Sequence, residues 1–367
     1  MTTFLWLTLA AVIAFLLGIL ACRMLARRHF RQIGRLCGDA CIDRAGPVEL
    51  GGVPQWVSIR GRHRRNPILL FLHGGPGTVF SGVAYSFQGP WEEYFTVVHW
   101  DQRGSGRSRK RADQPIGLET LVSDAIALID ALREELGHDK VFLLGHSWGG
   151  FLGLTIAHRR PDLLHAFIGL GPLLGIRAGY RESYRVLTEA ATAAGDTRTL
   201  DKLNKADPEL PAASDPGYLK ALGAVLGFLP AYGMSWHNQT STAKLLARML
   251  TIGFLSPDLT LRQILQPLAG SRSYVLGLFR EIDDIYLPDT LGARFETPVI
   301  LISGEHDQQG PIALVRKFAA QIDAPYKAFR VLRGSAHAAV WEAPGQILEV
   351  LLKDALPRAR GDNDGAI

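Results

Sequence analysis

The stretch KVFLLGHSWGGFLGLTIAH, Lys140 to His158, changes character in its middle. KVFLL, Lys140 to Leu144, has the continuous apolar run of a strand buried on both faces, and the residues from Trp148 follow a helical pattern that Pro161 closes. Between them stands Ser147, with Gly145 and Gly149 two residues to either side. As a bare string G-x-S-x-G is weak, since a chain of this composition supplies it by chance on the order of once in five. Placement is what strengthens it. A sharp strand-to-helix turn presents a serine hydroxyl above a sheet, and the helix N-terminus favours negative charge developing beside it. The two glycines fit the same turn, because a Cβ at either site would clash where the backbone segments meet.

Working outward, the strand pattern recurs. Val53 to Ile59 (VPQWVSI), Pro67 to His73 (PILLFLH), Phe95 to Trp100 (FTVVHW) and Ala166 to Leu170 precede the region 173–292, and Pro298 to Ser303 (PVILIS) and Tyr326 to Leu332 (YKAFRVL) follow it. Leu118 to Leu136 has apolar residues at three-and-four spacing and reads as an amphipathic helix that Gly137 stops. Alternating strands and helices predict a mostly parallel sheet covered on both faces. Residues 173–292 read as helical with no convincing buried strand, so a helical cap inserted over the strands' C-terminal ends is expected. A final helix is expected over Pro344 to Leu356.

Serine needs a base, and the base needs an acid to hold its tautomer. In a parallel sheet both hang from loops after later strands. Asp307 follows PVILIS within SGEHD, and His337 follows YKAFRVL within RGSAH. The order Ser147, Asp307, His337 is that of α/β hydrolases. Glu305 and His306 are the nearest alternative acid and base, but neither leaves a second loop for its partner. Two backbone amides should form an oxyanion hole: that of Trp148 and that of Gly75, in the HGGPG turn from His73 to Gly77.

Three ordered motifs, HGGPG at 73–77, DQRGSGRS at 101–108 and GHSWGG at 145–150, with the later SGEHD and GSAH, resemble the proline iminopeptidase branch of the α/β-hydrolase superfamily over about residues 50–357. The resemblance implies the α/β-hydrolase fold, Ser147, Asp307 and His337 as the triad, and Gly75 and Trp148 as oxyanion donors. It also implies that His73, Gly74, Asp101, Gln102 and Arg103 support the site from beneath. Members of that branch hold the free α-amine of a peptide with cap carboxylates. Glu182, Glu189, Glu281, Asp283 and Asp284 are available here, each also readable as a solvated helix face.

Phe4 to Cys22 is an uncharged run of 19 residues, long enough to cross the ~30 Å of bilayer hydrocarbon. No Lys or Arg precedes it, and Arg23, Arg27, Arg28, Arg31 and Arg35 follow, which predicts a single span with the bulk of the chain in the cytoplasm. Ile19-Leu20-Ala21-Cys22 also resembles a lipoprotein cleavage box, an alternative that exports the enzyme. These arginines supply much of the net charge of +5, so the basic balance points to a membrane surface, and no nucleic-acid partner is expected. Arg107 to Arg111 reads as a solvated basic loop. The three cysteines, Cys22, Cys37 and Cys41, leave the body without a disulfide framework, and Cys37 and Cys41 read as a pair on one face of a juxtamembrane helix. No metal or cofactor motif is present.

The expected organisation is an anchor at 4–22, a basic juxtamembrane segment at 23–49, a hydrolase core at 50–172 and 293–357, the cap at 173–292 and a disordered tail at 358–367. The expected activity is a serine hydrolase acting on a small molecule or short peptide. Proline iminopeptidase-like cleavage leads, a carboxylesterase or lysophospholipase is the alternative, and a catalytically silent binding module is the rival from another class. Oligomeric state is not readable.

Overall fold

The computed structural model describes residues 2–36, 38–111, 116–205, 208–238, 241–265 and 272–359. Eight strands form one sheet in the order β1-β2-β4-β3-β5-β6-β7-β8: β1 (Ile42–Leu50), β2 (Val53–Gly61), β3 (Ile68–Leu72), β4 (Thr96–Trp100), β5 (Val141–His146), β6 (Leu164–Leu170), β7 (Val299–Gly304) and β8 (Lys327–Leu332). β1 and β2 pair antiparallel with each other, as do β2 and β4, and the remaining pairings are parallel. The helices are α1 (Thr2–Ile33), α2 (Leu118–Leu136), α3 (Trp148–Arg159), α4 (Ile176–Ala193), α5 (Thr197–Leu203), α6 (Tyr218–Phe228), α7 (Thr242–Leu255), α8 (Leu261–Leu265), α9 (Arg272–Ile282), α10 (Leu287–Leu291), α11 (Ile312–Gln321), α12 (Ala339–Glu342) and α13 (Pro344–Val350).

Strand alternation divides the core. Leu70 and Leu72 of β3 face one apolar cluster with α2, α3 and the cap, while Leu69 and Phe71 face a second with Phe87, Trp91, Val340 and Ile347. Both faces are therefore dry, which is why β3 and the first four residues of β5, Val141 to Leu144, are apolar without interruption. Gly137 ends α2 in the left-handed region at φ 71°, its amide returning to the Arg133 carbonyl at 2.9 Å.

The N-terminal boundary differs from the expectation. The segment 23–49 is not only a basic link, because residues from Ile42 onward form edge strand β1. Gly51 and Gly52, at φ 55° and 76°, make the two-residue turn that joins β1 to β2. The sequence hid this strand because an edge strand stays mostly exposed and tolerates Pro47, so it lacks an apolar signature. Cys41 lies directly ahead of β1 rather than on a helix, and Cys37 lies outside the described residues. Of the expected tail, Arg358 and Ala359 close a short 3-10 turn, and residues 360–367 lie outside the described residues. Arg107 is no solvated loop residue: it lies 4.7 Å over the Trp56 ring and donates to the Asp258 carbonyl at 3.0 Å.

α1 is the one helix among the described residues long and apolar enough to cross a membrane, with mean hydropathy 2.6 over its most apolar window and none of that window buried. A single span and a signal sequence share these properties.

Candidate active site

Because β5, β6, β7 and β8 are parallel, the turns that follow them gather at one edge of the sheet. Ser147 stands in the turn between β5 and α3 at φ 56°, the one non-glycine residue with positive φ among those described. A strained backbone is tolerated only where its surroundings hold it. Here the Ser147 amide donates to the Leu170 carbonyl at the end of β6, and its carbonyl accepts from Gly150 and Leu173. A Cβ on Gly145 would stand 2.1 Å from the Gly149 carbonyl oxygen, and one on Gly149 would stand 2.1 Å from that of Leu72. Both glycines are thus demanded by the turn.

Asp307, after β7, is fully buried and accepts backbone amides from Gln309 at 3.0 Å and Gly310 at 2.8 Å. His337, after β8, is 6% exposed, and its Nδ1 reaches the Asp307 carboxylate at 2.9 and 3.1 Å. A proton on Nδ1 leaves Nε2 free to accept one from a serine, the tautomer this chemistry needs. Gly171, at φ 49°, lies against the pair: a Cβ there would come within 2.6 Å of Asp307 Oδ2. His146, immediately before Ser147, connects the two halves. Its ring lies 4.7 Å from that of His337, and its Nε2–H donates to the His337 carbonyl at 2.9 Å. Burial and the nearby His337 push the His146 pKa down to about 3, so this ring is a weak base, and its Nε2–H is already committed to the His337 carbonyl.

The HGGPG turn packs on the same elbow. A Cβ on Gly74 would meet the Ser147 Cβ at 3.1 Å. Gly75 is exposed at φ 115°, and neither its amide nor that of Trp148 donates to an acceptor among the described residues. Two free amides beside a partly exposed serine can receive the negative oxygen of a tetrahedral intermediate.

His73, Asp101 and Gln102 form the floor. His73 Nδ1–H donates to the Gly74 carbonyl at 2.9 Å, and its Nε2 accepts the Gln102 amide at 3.3 Å. Burial lowers the His73 pKa to about 4, which keeps that pattern intact. Gln102 in turn accepts the Trp148 indole N–H at 3.0 Å, linking floor to elbow. Asp101 accepts Ser81 Oγ at 2.6 Å and the Arg107 amide at 2.9 Å, and burial raises its pKa. Arg103 turns away from the serine, making a two-pronged pair with Asp124 of α2, both contacts 2.7 Å, and reaching the carbonyls of Leu50 and Gly51. Of the alternatives, Glu305 accepts the Gly334 amide and His306 stacks on His237 at 4.2 Å, so neither joins the buried pair.

The five cap carboxylates available for a substrate amine are all engaged. Glu182 and Glu189 pair with Arg185, Glu281 accepts the first amide of α2, and Asp283 and Asp284 pair with Arg177. Asp283 also accepts the Tyr218 hydroxyl at 3.0 Å. What sequence reasoning missed is the cap segment that grips the site loops: Met234 O accepts the Gln308 amide at 3.1 Å, and Ser235 O accepts the Ala338 amide at 2.9 Å. Backbone contacts of this kind leave no side-chain signature. His146, by contrast, was visible inside GHSWGG.

A probable aminopeptidase of Bacillus subtilis, YbaC, is 28% identical over 312 residues, 84% of this chain and 95% of that protein. The proline iminopeptidase of Neisseria meningitidis is 37% identical over a shorter stretch of 106 residues, 29% of this chain and 33% of that protein. A crystal structure of a proline iminopeptidase-related protein from Thermus thermophilus superposes with a TM-score of 0.60 and 23% identity, covering 87% of this chain and 98% of the other, a likeness of fold. The family described by the alpha/beta hydrolase fold matches residues 67–344, which take in the elbow, the HGGPG turn and both partner loops. With that match and this geometry, the chain belongs to the α/β-hydrolase fold family.

Proposed function

We propose that the protein is a membrane-anchored serine hydrolase that works through an acyl-enzyme and removes N-terminal residues, proline favoured, from short peptides. The observation that carries the chemistry is the His337–Asp307 pair with His146, the neighbour of Ser147, lying on the same imidazole. Ser147 Oγ attacks the acyl carbonyl while His337 Nε2 takes its proton. The amides of Gly75 and Trp148 hold the resulting oxyanion. His337 then protonates the leaving amine, and water, activated by the same ring, releases the acid from Ser147. The aminopeptidase reading draws on YbaC, named a probable aminopeptidase, whose likeness runs through both core and cap. α1 supplies the anchor, with the arginine-flanked side and the catalytic body in the cytoplasm.

One observation favours a second reading, an esterase. Every cap carboxylate considered for an α-amine already holds an arginine or a backbone amide. An enzyme that reads no ammonium group needs no free carboxylate.

A substrate panel separates the two. Purified wild type and Ser147→Ala are assayed on prolyl amides, N-acylated prolyl amides, short-chain esters and lysophospholipids. Serine chemistry predicts a loss of about 10⁶-fold in kcat for the variant on whichever substrate is turned over, and an unchanged rate would remove Ser147 from the mechanism. Loss of rate on acylating the amine supports the aminopeptidase, and indifference to acylation supports the esterase.

A further inference from the structure

The arginines that follow the apolar run of α1 do not stay in solvent as a free stripe. Arg23 donates to the carbonyls of Phe254 and Leu259, the latter at 2.6 Å. Arg27 and Arg31 both donate to the Pro257 carbonyl, at 2.8 and 3.0 Å. Three successive turns of α1 therefore clamp the connection between α7 and α8 through neutral carbonyl acceptors, and the carboxylate in that connection, Asp258, acts on Arg31 electrostatically without forming an ion pair with it. No carboxylate among the described residues forms an ion pair with Arg27, Arg28, Arg31 or Arg35, whereas the cap arginines Arg177, Arg181 and Arg185 each have at least one. Together with Met24 and Gln32 the four unpaired arginines line an open pocket of about 380 Å³.

Position along the helix says what meets that charge. Phe4 to Cys22 spans ~28 Å at 1.5 Å per residue, so Arg27 and Arg28 fall ~8 Å beyond the hydrocarbon, at headgroup depth. The clamp holds residues 254–259 at this same level. α7 leaves from there with Leu246 and Leu250 on one face, 55% and 46% exposed, and Leu261 of α8 is 42% exposed. Basic residues flanking exposed leucines on an element packed against a membrane span are what an anionic bilayer surface attracts.

We propose that this face, the unpaired arginines of α1 with the leucines of α7 and α8, is a second membrane contact that seats the cap on a bilayer containing anionic phospholipid. The proposal rests on reading α1 as a span. It bears on the site, because the clamped segment and the end of α7 touch the chain just past the HGGPG turn: Ser256 Oγ donates to the Gly82 carbonyl at 2.5 Å, and the Tyr85 hydroxyl donates to the Ile252 carbonyl at 2.8 Å.

Full-length protein in nanodiscs of phosphatidylcholine alone, or with a third phosphatidylglycerol, tests it by hydrogen exchange of the α7 amides. Seating predicts slower exchange in the anionic discs, with the seating equilibrium constant falling about fivefold per arginine neutralised. Arg28→Gln/Arg35→Gln, which leaves the clamp in place, should remove the lipid dependence, and Leu246→Ser/Leu250→Ser should remove it independently. Equal exchange in both discs, or a difference that survives both variants, overturns the proposal. Slowing that follows the number of chains per disc rather than phosphatidylglycerol also overturns it and assigns the face to a second copy. Flotation with neutral vesicles is scored alongside: a chain that fails to float removes the anchor and this face with it, whereas one that floats with unchanged exchange removes the face alone.

Discussion

The loops at the C-terminal edge of the sheet and the helices of the cap both carry acidic residues, yet they use them in opposite ways. At the sheet edge, Asp307 is fully buried, holds two backbone amides and spends its remaining capacity on one histidine. In the cap, Glu182, Glu189 and Glu209 lie on helix surfaces or loops and pair with arginines that are themselves largely exposed. Exposed pairs contribute little, typically below ~1 kcal/mol, because solvent screens them. A buried carboxylate facing one partner fixes orientation, and orientation is what proton transfer requires. Function is therefore expected to be concentrated at the sheet edge, and stability to be what the buried part of the cap provides.

The sharpest way to break that comparison is Asp307→Asn. The amide fills the same space but holds His337 in the wrong tautomer, so kcat should fall about 10⁴-fold with little change in the folded structure. Steady-state rates on the best substrate of the panel, with circular dichroism as the control, decide it. A loss under tenfold would mean that the buried pair is a packing device.

This edge was legible in the sequence because its signals are local. A parallel strand buried on both faces must be apolar and a turn that crowds backbone must be glycine; Ser147 and Asp307 follow such strands, whereas His337 follows the edge strand β8, which is mostly exposed. β1 was not legible, since exposed edge residues with a central proline carry no period that distinguishes a strand from a linker. Nor was the grip of residues 234 and 235 on the site loops, because backbone carbonyls are the same in every residue. The cap's helices were visible as a class, whereas the partners of its carboxylates depend on how those helices cross.

Lowering pH sharpens the same contrast. His73, His99 and His146 are buried beneath the site, and burial pushes their pKa values down to about 4, about 3 and about 3. In the unfolded chain each titrates near 6.5. Between those values the unfolded state binds more protons, so stability is full above pH 6.5 and falls as pH drops toward 4, by up to ~1.4 kcal/mol per pH unit for each histidine. Asp101, raised by burial, opposes this by taking up a proton first in the folded state. The pairs of Asp162, Glu119 and Glu209 with arginine hold those carboxyls below their ordinary values, so they stay intact through this range. The three histidines together would remove up to ~8 kcal/mol between pH 6.5 and pH 4.5, and Asp101 offsets part of that loss, so a falling Tm in thermal unfolding is expected over this range. A flat Tm over that range would mean that the buried histidines find protonated states the fold can hold.

Asp283→Asn tests the cap. Asp283 is 5% exposed, bridging Arg177 on α4 and the Tyr218 hydroxyl on α6, so it ties helices together from inside. Removing its charge leaves Arg177 with the exposed Asp284 and the carbonyls of Leu210 and Pro211. A cost of about 2 to 3 kcal/mol, roughly 5 to 10 °C in Tm, follows from one unmatched partner in a buried pair. If Asp283 is only a strut, the ratio of rates on free and N-acylated prolyl amides should not change, and any fall in activity should follow the unfolded fraction. If that ratio collapses while the protein stays folded, this carboxylate reads the substrate's amine despite its arginine. The division between a chemical edge and a structural cap would then give way to a cap whose ion pair opens to admit the peptide.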